Sequence, residues 1–250
     1  MSGPKGQGGL YVGYLPLPRA HRAFLAIALP AIMLAFIGGA AFIAGAQRDP
    51  GDAVWETGEE RTWTGVLVAY PHPTLYVDGT AHLLAEMGKS GPHARGIPEH
   101  PVQARIRGYP LAREGRLIIE LAPDEGAISV VSNVPPNTPT RASLGPATIR
   151  GEIIDGKCFL GAMKPGDGKA HKACAILCIE GGLPPMVAVR DDPADPTPAE
   201  VLLLLVDGST DLPREVLDLV AQPVVITGER TRIGTLGIID AHAADIRPAP

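Results

Sequence analysis

The sequence predicts a mainly β protein with short helices, carried behind one N-terminal membrane-crossing helix. Three observations predict it: an uncharged segment near the N-terminus, many short β-branched runs after it, and 30 Gly with 26 Pro among 250 residues to punctuate those runs. Hydrophobic residues make up 45% of the chain, enough for a packed core, whereas aromatics make up only 4%.

The uncharged segment runs from Ala23 to Ala46. At about 1.5 Å per residue it spans roughly 36 Å, more than a hydrocarbon core of about 30 Å. Pro30 and the Gly38-Gly39 pair are tolerated in a membrane helix. Ala44-Gly45-Ala46 fits a signal-cleavage site, but the apolar stretch exceeds the usual signal length, so it reads as an uncleaved anchor.

Charge sets the expected orientation. Lys5, Arg19 and Arg22 precede the segment with no acid among them, whereas Asp49, Asp52, Glu56, Glu59 and Glu60 follow it. The positive-inside rule then places the N-terminus in the cytoplasm and the rest of the chain in the periplasm, on a single pass through the inner membrane. Removing the tail's three positive charges from the chain's −5 leaves about −8 for the exported part. That balance argues against nucleic acid as a partner, which needs a basic surface. The expected partners are the membrane, through residues 23–46, and a protein complex of the envelope.

After the anchor, the expected strands of the first half are Thr62–Ala69, Thr74–Val77, Ala81–Glu86, Val102–Arg107 and Arg116–Leu121. Those of the second half are Ala147–Ile154, Met186–Val189, Val201–Val206, Val224–Thr227 and Leu236–Asp240. The halves parallel each other. His100-Pro-Val through Gly108 and Gln222-Pro-Val through Gly228 each lead a strand into a turn and a second strand. Each half also opens on a strand interrupted by Gly, at Gly65 and Gly151, as small curved barrels require.

Five short strands in each half suggest an OB-like barrel used twice. The expected organisation is a tail over 1–22, the anchor over 23–46 and a linker over 47–60. A first OB-like domain over 61–132, a Pro-rich linker over 133–146 and a second OB-like domain over 147–248 complete it. Two helices are expected in the second half: Gly168–Glu180, capped by Asp167, and Asp211–Ala221, capped by its own Asp.

Chemistry concentrates between residues 158 and 178. All three cysteines and one of the seven histidines lie there: Cys158, His171, Cys174 and Cys178. At about 100° per residue, a helix puts His171, Cys174 and Cys178 on one face. Cys158 follows a strand one loop earlier and is positioned to meet that face. Three thiolates and an imidazole suit zinc or a soft ion such as copper(I), for which Met163 adds a thioether.

Two other readings stand beside the metal site. Cysteines pack well as small hydrophobes, and the same face, with Ala170, Ala175 and Leu177, is the natural core face. A disulfide from Cys158 to Cys174 or Cys178 is then a structural staple. Cys174–Cys178 is disfavoured, because one helical turn sets their Cβ atoms about 5–6 Å apart where a disulfide needs about 3.8 Å. Alternatively Cys174 or Cys178 attacks a substrate disulfide and Cys158 resolves it, which is redox work.

The window resembles a motif of exported bacterial proteins of uncharacterised function. A strand ends in Asp-x-x-Cys-aromatic, then come a Gly-rich loop, His-x2-Cys-x3-Cys and Gly-x-Pro. Asp155, Cys158, Phe159, His171, Cys174, Cys178, Gly182 and Pro184 hold those positions. The resemblance covers about residues 148–190 and implies an envelope location and an OB-like domain, with no activity attached. The Cys-x3-Cys with a histidine is similar to the copper ligands of Sco-type chaperones, in ligands alone.

Other signals are weaker. Pro165-Gly-Asp-Gly-Lys169 fails as a phosphate loop, since Met163 stands where the first Gly is needed. His72-Pro-Thr-Leu-Tyr76 is similar to the His-x3-Tyr of CcmE-type haem chaperones, but between Pro71 and Pro73 it reads as a turn. Asp191, Asp192 and Asp195 read as a solvated loop. Spacing defines no Ser-His-Asp or paired-carboxylate set, so catalysis is not indicated.

Overall fold

Strand formation follows the β-branched runs closely, and the departures locate the site. The computed structural model describes residues 19–46, 52–135, 137–192 and 197–250. Most of the expected tail, the start of the linker at 47–51 and Asp195 lie outside them.

Helix α1, Arg19–Ala46, is uncharged beyond its first turn and contains Pro30. Within His21–Ala46 an 18-residue window reaches a mean hydropathy of 2.3, so the helix is long and apolar enough to cross a membrane.

Residues 49–250 form a separate unit. Its first sheet holds β1 (Val54–Trp55), β2 (Arg61–Val68), β3 (Thr74–Val77), β4 (Thr80–Ala85), β5 (Val102–Arg113), β6 (Arg116–Leu121) and β7 (Ile128–Ser132). Pairing runs β2-β3-β4-β6-β5 and back to β2, so five strands close a barrel, with β4 and β6 parallel and the other pairs antiparallel. β1 and β7 add to β5.

The second sheet holds β8 (Arg141–Asp155), β9 (Pro185–Val189), β10 (Glu200–Val206), β11 (Pro223–Ile233), β12 (Leu236–Ala241) and β13 (Ile246–Pro248). Its pairings repeat the circular order: β8-β9-β10-β12-β11 and back to β8, with β10 and β12 parallel.

The repeat seen in the sequence has a steric basis. A Cβ on Gly108 would lie 2.1 Å from the Glu120 carbonyl oxygen, and one on Gly228 would lie 2.3 Å from that of Asp240. At both places the long strand, β5 or β11, turns from one partner to the next and passes too close for a side chain. β5 and β11 therefore run beyond their expected ends, to Arg113 and Ile233.

Because β11 continues, it pairs with residues upstream of Ala147. β8 thus begins at Arg141, inside the stretch expected to be linker. The helix expected over Asp211–Ala221 is also shorter. α3 spans Arg214–Leu217, with Pro213 rather than Asp211 at its cap. Beyond it the chain leaves the helix so that the Ala221 amide can donate to the Ile153 carbonyl at 2.9 Å.

Three apolar clusters hold the unit together. One fills the first barrel around Leu67, Leu84, Ile106 and Ile119. Another fills the second sheet around Ile153, Leu204, Val220 and Ile226. The third draws Val66, Leu111 and Ile118 from the first half together with Ile154, Phe159, Leu160 and Leu203 from the second. The halves therefore share a continuous core, and Cys158 and Cys178 belong to it.

Candidate metal centre

The cysteine window is the connection between β8 and β9, residues 156–184, folded against the first barrel. Asp155 ends β8 fully buried, and its Oδ1 accepts the Cys158 amide at 2.8 Å. This contact three residues on is a helix N-cap, and it starts the short helical stretch that contains Cys158–Ala162. The second carboxylate oxygen, Oδ2, accepts the His171 Nε2–H at 2.9 Å, which fixes the orientation of the ring.

Helix α2 spans Lys172–Glu180, and a 3₁₀ turn over Lys169–His171 leads into it. His171 therefore occupies the helix cap and is buried. Asp167 does not cap: its carboxylate takes a 2.8 Å hydrogen bond from Arg190, both side chains being buried. The inward residues of α2 are Ala175, Cys178 and Ile179, while Ala170 and Leu177, expected on the core face, are exposed.

The four expected ligands fall into two overlapping groups. Ligand atoms of Cys158, His171 and Cys174 lie within 4.8 Å of one another, and those of Asp155, Cys158 and Cys178 form a second such group. Cys158 is common to both. Its Sγ lies 3.9 Å from Cys178 Sγ, and all three cysteines are free thiols. Two sulfurs bound at about 2.3 Å to one tetrahedral ion would stand about 3.8 Å apart, so this pair already has the spacing of shared ligation. Met163, the candidate thioether, is about half exposed.

Two contributors were not legible in the window. The loop between β4 and the 3₁₀ turn at Pro92 carries Lys89, whose Nζ donates to Cys174 Sγ at 2.6 Å and lies 3.7 Å from Cys178 Sγ. Close backbone contact holds that loop: the Gly91 amide donates to the Gly181 carbonyl at 2.8 Å. A Cβ on Gly181 would lie 1.8 Å from the Lys89 carbonyl oxygen. Sequence spacing alone could not have paired residues so far apart, although Gly88-Lys-Ser-Gly91 and Gly181-Gly182 both mark backbone that packs closely.

The second contributor is Lys157. It is buried, with Nζ 2.5 Å from Glu120 Oε2 and donating to the carbonyls of Glu86 (2.6 Å) and Gly88 (2.9 Å). Phe159 locks the other side: Arg113 and Arg190 lie 4.0 and 5.9 Å from its ring centre. Arg113 also donates to the Phe159 and Pro165 carbonyls, at 3.3 Å each. The Asp-x-x-Cys-aromatic string is thus a packing device that sets Cys158 at the junction of the two halves.

Electrostatics separate the thiols. The hydrogen bond from Cys158 lowers Cys178 to about 7, helped by Lys89 and Cys174 and opposed by burial and Asp155. Cys158 is pushed far up by that same bond, by burial and by the Asp155 charge. The contact with Cys174 raises Lys89.

His72 takes no part. It is fully buried in a turn before β3, and its Nε2–H donates to the Leu84 carbonyl at 2.9 Å. Its ring meets His93 edge-on at 5.9 Å.

Comparison with family models, with curated proteins and with solved structures returns no match for the chain.

Proposed function

We propose that the protein is a membrane-anchored component of the cell envelope that binds one zinc or copper ion through Cys158, His171, Cys174 and Cys178. The observation that carries this reading is the meeting of three thiols and an oriented imidazole around Cys158, with Asp155 behind the imidazole. Donor chemistry favours ions that accept sulfur, and burial of Cys158 and Cys178 excludes water from most of the coordination sphere. For Cys174 to ligate, the Lys89 ammonium withdraws from its sulfur.

The circular strand order of both sheets supports two OB-like barrels, the second holding the metal window between its first two strands. The uncharged helix supports an inner-membrane anchor, and the charge asymmetry around it supports a periplasmic location for residues 47–250. In this reading the role is accessory, as a metal-handling partner within an envelope complex.

Elemental analysis tests it. Full chain purified reduced and supplied with zinc or copper is expected to retain about one ion per chain after gel filtration. Absence of stoichiometric metal after that treatment would exclude the reading.

A further inference from the structure

We propose that the reduced, metal-free cluster carries out thiol–disulfide exchange, with Cys174 as the attacking thiol and Cys158 as the resolving thiol. The proposal stands apart from metal binding, because it concerns the cluster with no ion on it.

Access assigns the first role. Cys158 and Cys178 are 5% and 1% exposed, whereas Cys174 is only partly buried. A disulfide arriving from solvent therefore meets Cys174 first. Cys174 is also the sulfur that the Lys89 ammonium touches, at 2.6 Å.

Geometry assigns the second. Cys178 lies one turn along the same helix, and that spacing opposes a bridge to Cys174 while α2 persists. Cys158 lies off the helix, with Sγ within 4.8 Å of Cys174 Sγ. It is the cysteine placed to resolve a mixed disulfide on Cys174.

The sequence of bonds balances. The Cys174 thiolate attacks one sulfur of the substrate disulfide R–S–S–R. That bond breaks, a Cys174–S–R bond forms and one RS⁻ leaves. Cys158 then gives up its proton to the released RS⁻, which departs as RSH, and attacks Cys174 Sγ. The Cys174–S–R bond breaks, the Cys158–Cys174 disulfide forms and a second RS⁻ leaves. The substrate disulfide is reduced by two electrons and the protein dithiol is oxidised by two. Small and peptide-borne disulfides share this chemistry.

The test uses detergent-solubilised full chain, reduced and treated with chelator, mixed with glutathione disulfide or with a disulfide-bridged peptide. Mass spectrometry of alkylated digests is expected to show a Cys158–Cys174 bridge and release of reduced probe. Faster reaction with the peptide would assign a protein substrate, and faster reaction with glutathione disulfide a small one. Cys158→Ser is expected to stop at a mixed disulfide on Cys174, and Cys174→Ser to slow the reaction about 100-fold. Timed alkylation of the unmutated chain, trapping the Cys174 adduct before the bridge, reads the same order without relying on a variant that folds. An adduct forming first on Cys158 or Cys178, a Cys174–Cys178 bridge, or unreactive thiols would overturn the proposal. Zinc retention, measured separately, is unaffected by either result.

Discussion

Asp155 joins Cys158 to His171: one carboxylate oxygen accepts the Cys158 amide at 2.8 Å and the other takes the His171 N–H at 2.9 Å. A single side chain therefore fixes the backbone of one proposed ligand and the ring of another. Asp155→Asn keeps an acceptor for the amide but puts the acceptor for the imidazole at risk. Zinc affinity is expected to fall about 10–100-fold with secondary structure unchanged. Competition with a chromophoric chelator measures it, and an unchanged affinity would show that Asp155 does not orient the site.

Gly181→Ala tests the contact between α2 and the loop that carries Lys89. The added carbon would lie 1.8 Å from the Lys89 carbonyl oxygen, a backbone atom that can yield only if the loop moves. The expected cost is about 1–3 kcal/mol in urea unfolding. Cys174 should also react faster with a bulky alkylating agent, because the loop no longer covers it. A neutral substitution would mean that the loop is held less closely than described.

The buried Lys157–Glu120 pair ties the cysteine window to the first barrel. Lys157→Met alone leaves the Glu120 carboxylate buried without its cation and is expected to cost about 3–5 kcal/mol. Adding Glu120→Leu removes the stranded charge, so the double variant should recover most of that loss. Equal destabilisation of single and double variants would count against the pairing.

His72 gives the unfolding free energy a pH dependence of definite sign. Burial lowers its value from 6.5 to about 4, so the folded protein holds the ring neutral where the unfolded chain protonates it. The contribution is present in full above pH 6.5, declines as pH falls and is lost below about pH 4. Its total size is about 3 kcal/mol. Urea midpoints between pH 7 and pH 4 should fall less steeply in His72→Leu than in the unmutated protein. Parallel curves would contradict this assignment.

Local signals were the legible part of this chain. β-branched runs and turn residues located the central strands of both sheets, and the matching positions of Gly108 and Gly228 disclosed the repeat, because both glycines answer the same steric demand. Non-local demands were not legible. β11 extends because a partner strand is present, α3 shortens because Ala221 bonds to Ile153, and Lys89 reaches Cys174 across 85 positions. Helical phase grouped His171, Cys174 and Cys178 on one face, but it misplaced the core face, because α2 begins only at Lys172 and leaves Leu177 outside.

The proposed metal centre has Cys158, His171, Cys174 and Cys178 holding one ion together. X-ray absorption at the zinc edge of the zinc-loaded full chain tests it most directly. The expected result is a four-coordinate shell of three sulfurs at about 2.3 Å and one nitrogen at about 2.0 Å. A shell of oxygen and nitrogen alone, or zinc that does not stay with the protein, would contradict it.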